Sequence, residues 1–478
     1  MRPKRDVGFV VAMGLLLESS LLLLYFVTGL NRTSTLLEPY FGVSFAVYAG
    51  AVIWVMKTKP KAGNGSTFII ALFGCVMGAT FLLQTPTLSG DIYRYIWDGK
   101  LITHGISPYS FPPYASQLAS LRDSNWLLVE DKDIISPYPP LLELLNGAVY
   151  AVSPTVTAFK LAFLIPDFAT IVTLPFFLRK LGFDPRLSVI YSWNPLLILE
   201  FSSSGHDDPL AVFLVLMSLY LLIDGRRLSS AALMGLAILS KLFPILFVPI
   251  LVKKWGIKGS AVIVALVFAF YLPFTLSTGN LVSVLAVYVV SNRSEFNAGA
   301  FAVLQYLFQP LGANAAFDAS RAVEYLVFFV VLAWLTLKTL KGNPDFVQLI
   351  RYAGIVLTVY LAMSSTIQPW YLAWVLVPFV VMMPSASWIL FSGMIFLTYY
   401  TFTQPPIQPG YWAEILWVKV AEFAQLYGFL AYELIRGRYL KPWARNPAPY
   451  MLPTPAAQSQ PILGQDLQQT IPDVDDGS

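Results

Sequence analysis

Apolar stretches follow one another along nearly the whole chain, separated by short polar turns and by one long polar segment after residue 84. A helix needs about 20 apolar residues to cross a hydrocarbon core, and about twelve stretches approach or reach that length. The predicted spans are 7–30, 41–56, 67–84, 156–178, 187–201, 209–223, 258–276, 321–339, 347–364, 370–383, 386–402 and 413–435.

Other apolar segments are interrupted. The segment 229–252 breaks at Lys241-Leu242-Phe243-Pro244, where proline removes a helix hydrogen bond and displaces the residue before it. We therefore predict a hairpin of two short helices there, and interfacial or re-entrant pieces at 139–153 and 280–311. Because the polar and apolar alternation of a membrane barrel is absent, the fold class is all-α: a polytopic membrane helical bundle of about twelve spans plus re-entrant or short helices.

Lysine and arginine cluster between alternate spans, which predicts that the clusters share the cytoplasmic side. They are Arg2/Lys4/Arg5, Lys57/Lys59/Lys61, Arg179/Lys180/Arg186, Arg226/Arg227, Lys253/Lys254/Lys258, Lys338/Lys341 and Arg436/Arg438/Lys441. Both termini are then cytoplasmic, in the cell membrane or, in a eukaryote, the endoplasmic reticulum membrane. The first apolar run is about twice as long as that of a signal peptide, so we predict a retained first span.

The domain organisation follows from this arrangement. We predict a membrane domain over 1–443, whose outward loop at 85–138 carries the chemistry. Residues 444–478 are rich in Pro, Gln and Asp with little apolar content, which predicts a disordered cytoplasmic tail.

Composition narrows the function classes. The chain is 56% hydrophobic and 12% charged, against about 25% charged for a soluble domain, so membrane lipids are expected partners. One cysteine, Cys75, excludes an intrachain disulfide or a thiolate cluster, and two histidines exclude a multi-histidine metal site. No GxxxxGK[ST] or GxGxxG element is present to hold a nucleotide phosphate, and no nucleic-acid partner is expected.

A short helix is predicted at the start of the outward loop, capped by Ser89 or Gly90 and ended by Gly105. Four residues at i, i+3, i+4 and i+7 share one face of this helix: Asp91, Arg94, Tyr95 and Asp98. Tyr93 and Trp97 face elsewhere, as interfacial aromatic residues do. An amphipathic surface helix with Asp91–Arg94 and Arg94–Asp98 ion pairs explains this spacing equally well.

Other outward residues are candidates for the same site. Two stiff corners, Pro108-Tyr109 and Pro137-Tyr138, hold the loop over the bundle. Polar and aromatic candidates in later outward turns are Asn194, Glu200, His206, Asp207, Asp208, Lys241, Gln368, Trp370 and Tyr371. Lys241 is informative because an unpaired ammonium in an apolar hairpin is costly. The Lys241 ammonium either has a functional role or pairs with a neighbouring acid such as Glu200.

These motifs resemble the integral-membrane GT-C glycosyltransferases. The resemblance rests on Asp91 to Asp98, the Gly-x-Ser-Pro-Tyr and Tyr-Pro-Pro corners, Trp193-Asn194-Pro195, Gly205-His206-Asp207-Asp208 and Ser240-Lys241-Leu242-Phe243-Pro244. The most similar members are the mannosyltransferases that include the catalytic subunit for the first mannose of glycosylphosphatidylinositol anchors, and prokaryotic polyprenol-phosphate-mannose-dependent enzymes. The anchor enzymes carry Asp-x-Asp where this chain has Asp91-Ile92-Tyr93.

The resemblance implies a hexosyltransferase with the GT-C fold. Its donor is a polyprenyl-phosphate sugar, here mannose, and its acceptor is a lipid- or glycan-linked hydroxyl on the outer face. The reaction centre of such enzymes is an acidic residue of the first large outward loop, which corresponds to Asp91.

Glycosyl transfer needs a base for the hydroxyl proton and positive groups for the departing phosphate. We expect Asp91 to be the base and Asp98 to be a second catalytic candidate. The expected substrate-binding residues are Tyr93, Arg94, Tyr95, Tyr109, Tyr138, Asn194, Glu200, His206, Asp207, Asp208, Lys241, Gln368, Trp370 and Tyr371. No obligatory metal is expected, although Asp207 and Asp208 with Asp91 leave Mg²⁺ or Mn²⁺ as an alternative. Asp207 is also placed to cap the span that follows it.

Two other function classes stay open. A transporter or flippase of lipid-linked sugars would also have about twelve spans and buried charges. Such proteins usually contain internal repeats with matched helix breaks, and no second copy of the Asp91 or Lys241 motif is found. A non-catalytic assembly subunit of a glycan pathway is the remaining alternative.

Overall fold

The computed structural model describes residues 3–58, 64–278, 295–406 and 414–437. Within these ranges the regular structure is helical, apart from an isolated parallel bridge between Phe296 and Thr366. The longer α-helices are α1 (Pro3–Thr28), α2 (Leu37–Lys57), α3 (Gly65–Thr80), α4 (Asp91–Thr103), α5 (Pro140–Val152), α6 (Val156–Lys180), α7 (Asp208–Ile223), α8 (Arg227–Ser240), α9 (Val248–Thr278), α10 (Ala300–Phe308), α11 (Ala313–Lys341), α12 (Phe346–Met363), α13 (Ala386–Met394) and α14 (Leu416–Ile435). The all-α fold class is confirmed, and the predicted tail at 444–478 lies outside the described residues.

Six of the described helical segments are long and apolar enough to cross a membrane: α1, α2, α6, α9 with the turn before it, α11 and α12. Shorter apolar helices, among them α3, α5, α7 and α8, pack against these long helices. Short 3₁₀ or α segments connect the helices at Ser116–Leu121, Ser124–Leu128, Phe243–Phe247, Gln309–Leu311 and Ile395–Thr403. The chain is a polytopic helical bundle, as the hydrophobic pattern predicts.

Two predicted spans, 187–201 and 370–383, are not continuous helices. The first is divided into Pro185–Ser188, Val189–Ser192, Pro195–Ile198 and a π-helix at Leu199–Ser204. The second is divided into Pro369–Tyr371, Leu372–Val375 and Leu376–Val380, with extended backbone at Val377 (φ −112°, ψ 128°). The side chains of both segments are largely buried. Irregular backbone at membrane depth is tolerated only where protein surrounds it, which explains why these segments lie inside the bundle.

Basic residues join helix ends at one end of the bundle, called here the basic end. Arg186 donates to the carbonyl oxygen of Thr58 at 2.7 Å, beside the end of α2. Lys253 Nζ donates to the carbonyl oxygen of Gly342 at 2.5 Å, beside the end of α11. Lys180 pairs with Asp224, beside the end of α7. Basic clusters that are distant in sequence therefore share this end.

The predicted helix break at Lys241 is confirmed. Lys241 directly follows α8 and has extended backbone (φ −154°, ψ 148°). Because α8 has 14 residues at 1.5 Å each, it carries Lys241 about 21 Å from the basic end. The second arm of the hairpin is longer than predicted, since Phe243–Phe247 continues into α9, whose backbone is non-helical at Gly256 (φ 66°).

Helix α4 lies within the long loop region 85–138 and packs closely on α5. A Cβ on Gly99 would lie 2.4 Å from the carbonyl oxygen of Asn146, so only glycine allows this approach. Of the two predicted N-caps, Gly90 occupies the position without a side-chain cap bond, Ser89 Oγ accepts from the Asp91 N–H at 3.2 Å, and Gly105 follows the helix with φ 70° as predicted. Tyr93 and Trp97 are buried in the hydrophobic cluster around α4, so the expectation that they act as outward interfacial rings is wrong: α5 and the loop cover this face.

Candidate active site

A cavity of about 570 Å³ lies at the end of the bundle opposite the basic end. Its wall combines the start of α4, the outward loop, the break after α8, α11 and the divided segment that begins at Pro369. The predicted site residues that line the cavity are Asp91, Tyr138, Lys241, Gln368, Trp370 and Tyr371. Residues from distant parts of the sequence therefore converge on one cavity.

Asp91 is the first residue of α4 and lies in the cavity wall. Its side chain is 28% exposed, and its Oδ2 lies 3.5 Å from Nδ1 of His206. Burial raises the pKa of Asp91 to about 6, while the positive charges of His206 and Lys241 oppose the rise. A carboxyl group with this pKa is ionised at neutral pH and is still a useful base.

Arg94 and Asp98 form a buried ion pair further along α4. The Arg94 Nε lies 3.0 Å from each Asp98 oxygen, which confirms this predicted pair. The two terminal nitrogens of Arg94 donate to the carbonyl oxygens of Asp131 (3.3 Å) and Ile134 (3.2 Å). Burial raises the pKa of Asp98, and Arg94 opposes the rise. The pair fastens the outward loop to α4, whereas Asp91 faces His206.

Lys241 lies between two carboxylates at the start of α7. Its Nζ donates to Asp207 Oδ1 at 2.8 Å and to Asp208 Oδ2 at 3.1 Å. Tyr95 donates to Asp207 at 2.8 Å, and Trp374 Nε1 donates to Asp208 at 2.6 Å. Burial lowers the pKa of Lys241, but the two carboxylates outweigh burial and raise it. Asp207 occupies the N-cap position without a side-chain cap bond, because its carboxylate turns to Lys241 and Tyr95.

His206 lies behind Asp91, on the side away from the cavity. Its Nε2 lies 3.3 Å from Glu200 Oε2, and both side chains are 0% exposed. The imidazole stacks on the ring of Trp370 with the centroids 3.6 Å apart. The Tyr399 hydroxyl donates to Glu200 Oε1 at 2.6 Å. His206 and Glu200 therefore contact cavity residues without lining the cavity themselves.

Three more predicted substrate-binding residues do not line the cavity, in addition to Arg94, Tyr95, Glu200, His206, Asp207 and Asp208. Tyr93 packs in the cluster around α4. The Tyr109 hydroxyl donates to the carbonyl oxygen of Tyr138 at 2.6 Å and so supports a cavity residue. Asn194 Nδ2 donates to Ser392 Oγ at 2.9 Å inside the bundle. Their contact with a substrate stays a prediction, and their visible contacts are with protein.

Several charged cavity residues are absent from the sequence prediction. They are Arg32, Glu130, Asp131, Arg321 and Glu324. Arg321 lies 3.4 Å from Glu324, and its guanidinium carbon lies 5.2–5.7 Å from the ring centroids of Phe301, Phe317 and Tyr325. The signal that would have found Arg321 is a charged pair at i, i+3 near the start of a long apolar helix.

The fold and the site together define a class: a polytopic membrane protein whose loop and divided helices enclose a charged, aromatic-lined cavity at one end. The family model described as Alpha-(1->6)-mannopyranosyltransferase, N-terminal domain, matches residues 8–257. The chain belongs to this family, and the resemblance to membrane mannosyltransferases is confirmed. Asp91 and Lys241 lie inside the matched region, whereas Arg321 and Trp370 follow it.

Two curated relatives carry the name Alpha-(1->6)-mannopyranosyltransferase A. The protein of Mycobacterium tuberculosis is 27% identical over 235 residues, which cover 48% of this chain and 44% of the relative. The protein of Corynebacterium glutamicum is 24% identical over 185 residues, which cover 37% and 36%. The chain thus spans less than half the length of each relative in these matches. No solved structure matches it.

Proposed function

We propose that this chain transfers a mannosyl residue from polyprenyl-phosphate mannose to a hydroxyl of a lipid- or glycan-linked acceptor on the outer face of the membrane, with Asp91 as general base. The observation that carries the proposal is that Asp91 shares one cavity with the cations Arg32, Lys241 and Arg321. The names of the two relatives support mannose as the sugar and a 1→6 linkage as the first to test. The basic end supports an outward cavity, because basic residues favour the cytoplasmic side.

The chemistry requires opposite charges on two sides of the sugar. A base must take the acceptor hydroxyl proton, and positive groups must stabilise the departing phosphate. Asp91 suits the first role because its pKa of about 6 leaves it ionised at neutral pH. The rings of Trp370 and Tyr371 in the same wall suit an apolar sugar face or the lipid.

Among the cavity cations, Arg321 suits the leaving phosphate best. Lys241 is already held by two carboxylates at 2.8 Å and 3.1 Å. Arg94 is buried and engaged with Asp98 and the loop backbone. A guanidinium can bind two phosphate oxygens at once through parallel N–H donors. We therefore propose Arg321, which also faces Glu324 at 3.4 Å, as the principal phosphate ligand, and Arg32 of the same wall as a second cation.

Replacing Arg321 by Ala should lower kcat/KM for the donor by about 10–100-fold, since a hydrogen bond to a charged group contributes about 1.5–3 kcal/mol. Arg321→Lys should recover part of this loss, because lysine restores the positive charge but not the pair of parallel N–H donors. The matched control is Arg122→Ala, because Arg122 also stacks on an aromatic ring, that of Trp126, but lies outside the cavity wall. Equal kinetics for the two alanine variants would contradict the assignment.

The direct test of the function is a donor screen with purified protein in liposomes and membrane-extract acceptors. We expect label to be transferred from polyprenyl-phosphate mannose and not from GDP-mannose. No group of three or more His, Cys, Asp or Glu in the described part of the chain could hold a metal ion, and we propose that transfer persists in EDTA. Movement of the donor across the bilayer without transfer would instead support the flippase alternative.

A further inference from the structure

A chain of polar contacts connects two residues of the cavity wall, Tyr399 and Asp91, through the buried side chains of Glu200 and His206. Tyr399 donates to Glu200 Oε1 at 2.6 Å. Glu200 Oε2 lies 3.3 Å from His206 Nε2, and His206 Nδ1 lies 3.5 Å from Asp91 Oδ2. Glu200 and His206 are 0% exposed, whereas Asp91 is 28% exposed and lines the cavity. The imidazole therefore does not line the cavity itself, and Asp91 is the carboxylate through which it can influence the proton transfer.

The contact between His206 and Asp91 forms directly after the π-helix Leu199–Ser204. Gly205 turns the chain with φ 79°, and a Cβ there would lie 2.6 Å from Ile92 Cδ1, so the position requires glycine. The turn directs His206 between Glu200 of its own segment and Asp91 of α4. Trp370 then covers the ring at 3.6 Å with an interplanar angle of 19°. Each ring nitrogen thus faces a carboxylate oxygen within 3.5 Å without a formed hydrogen bond, and Trp370 covers one face of the ring.

The surroundings of the imidazole favour its positive form. Burial alone lowers the pKa of His206, but the contact with Glu200 and the charges of Asp91 and Asp208 outweigh burial and raise it. The face of an indole ring also attracts a cation, and does so more strongly where water is excluded. Each ring nitrogen of an imidazolium carries a hydrogen to donate, and each faces a carboxylate here.

We propose that His206 is a positioning residue for Asp91: packed between Glu200 and Trp370, its ring faces the Asp91 carboxylate and fixes it in the cavity wall. The inference rests on the proposed function, in which Asp91 is the base. It changes the expected role of His206 and Glu200, since both act behind the base and not on the substrate.

During transfer, one proton moves to Asp91 and one phosphate group leaves the sugar. The acceptor oxygen forms a bond to the anomeric carbon and loses its proton to Asp91. The bond from that carbon to the phosphate oxygen breaks, and its electron pair leaves with the polyprenyl phosphate. His206 takes no proton from the acceptor in this step. Asp91 then releases its proton to water through the cavity.

The test is the pH dependence of kcat/KM, which reports ionisations of the free enzyme. Besides His206, Asp91 faces Lys241, which lowers its pKa, and Glu130 and Asp207, which raise it. In the His206→Gln variant the opposing charge is lost, so the pKa of Asp91 rises further. The acidic limb should move up by about one pH unit, which is about a fivefold loss at pH 6 and approaches tenfold at lower pH. At pH 8.5 the loss should be much smaller.

Controls separate this role from a merely structural one. His104→Gln makes the same substitution at the other histidine, which is exposed at the end of α4, and should leave the profile unchanged. Glu200→Gln is isosteric and should also shift the limb upward, because it weakens the imidazolium. A uniform loss of rate with an unmoved limb in both the His206 and Glu200 variants would overturn the proposal.

The same experiment distinguishes failure of the inference from failure of the proposed function. If the wild-type protein transfers no sugar, or if Asp91→Asn transfers as well as wild type, the function itself is wrong. If transfer depends on Asp91 and the limb does not respond to His206 or Glu200, only the positioning role is wrong.

Discussion

Replacing Asp91 by Asn is expected to lower mannosyl transfer by about 10²–10⁴-fold, the usual contribution of a general base. Asn keeps the size and shape of Asp but cannot accept the hydroxyl proton. The fold should survive, because the side chain is 28% exposed and its visible partner is the His206 nitrogen at 3.5 Å. Burial already disfavours the charged form of Asp91, as its raised pKa of about 6 indicates. Replacing the carboxylate by a neutral amide therefore adds no desolvation penalty.

The measurement is single-turnover transfer from labelled polyprenyl-phosphate mannose, together with the unfolding temperature of each variant. Glu130→Gln is the matched control, because Glu130 is another carboxylate of the same cavity wall and is 47% exposed. It should reduce the rate by less than about tenfold, as expected for a group outside the proton transfer. A similar loss for Glu130 and Asp91 would mean that the cavity needs negative charge in general, and Asp91 would lose its special role.

The sequence predicts those parts of this fold that depend on local pattern. Long uninterrupted apolar runs became α1, α2, α6 and α12, because a membrane helix satisfies all of its backbone groups within one segment. The caps of α4 and the break at Lys241 were also predictable, since glycine, serine and proline act on neighbouring backbone.

The remaining features depend on contacts between distant segments. The spans 187–201 and 370–383 look continuous by composition, but their backbone is divided because protein surrounds it there. His206 was expected at the substrate, yet Trp370, more than 160 positions further along the chain, covers it. Arg321 joins the cavity only because α11 packs beside the site. The local periodicity of the sequence does not indicate contacts between segments that are so far apart in the chain.

Replacing Lys241 by Met is expected to destabilise the protein by about 3–5 kcal/mol, the cost of breaking a buried ion pair by removing one partner. Asp207 and Asp208 are 1% and 0% exposed in their side chains and both contact the ammonium. Without Lys241 their adjacent charges would lack compensation. The unfolding temperature in detergent should fall clearly. Lys100→Met is the matched control, because its partner Asp123 is 37% exposed and such a pair contributes about 0–1 kcal/mol.

A combined variant separates the structural role of Lys241 from a direct role on the donor. In Lys241→Met with Asp207→Asn and Asp208→Asn, the buried charges disappear together, and most of the lost stability should return. Because Lys241 lowers the pKa of Asp91 and Asp207 raises it, these two effects on the base largely cancel. Transfer should then recover to within about tenfold of wild type, the effect of one residual pKa unit. A combined variant that is stable but inactive would show that the charged group of Lys241, Asp207 and Asp208 takes part in transfer directly, and a purely structural role for Lys241 would be wrong.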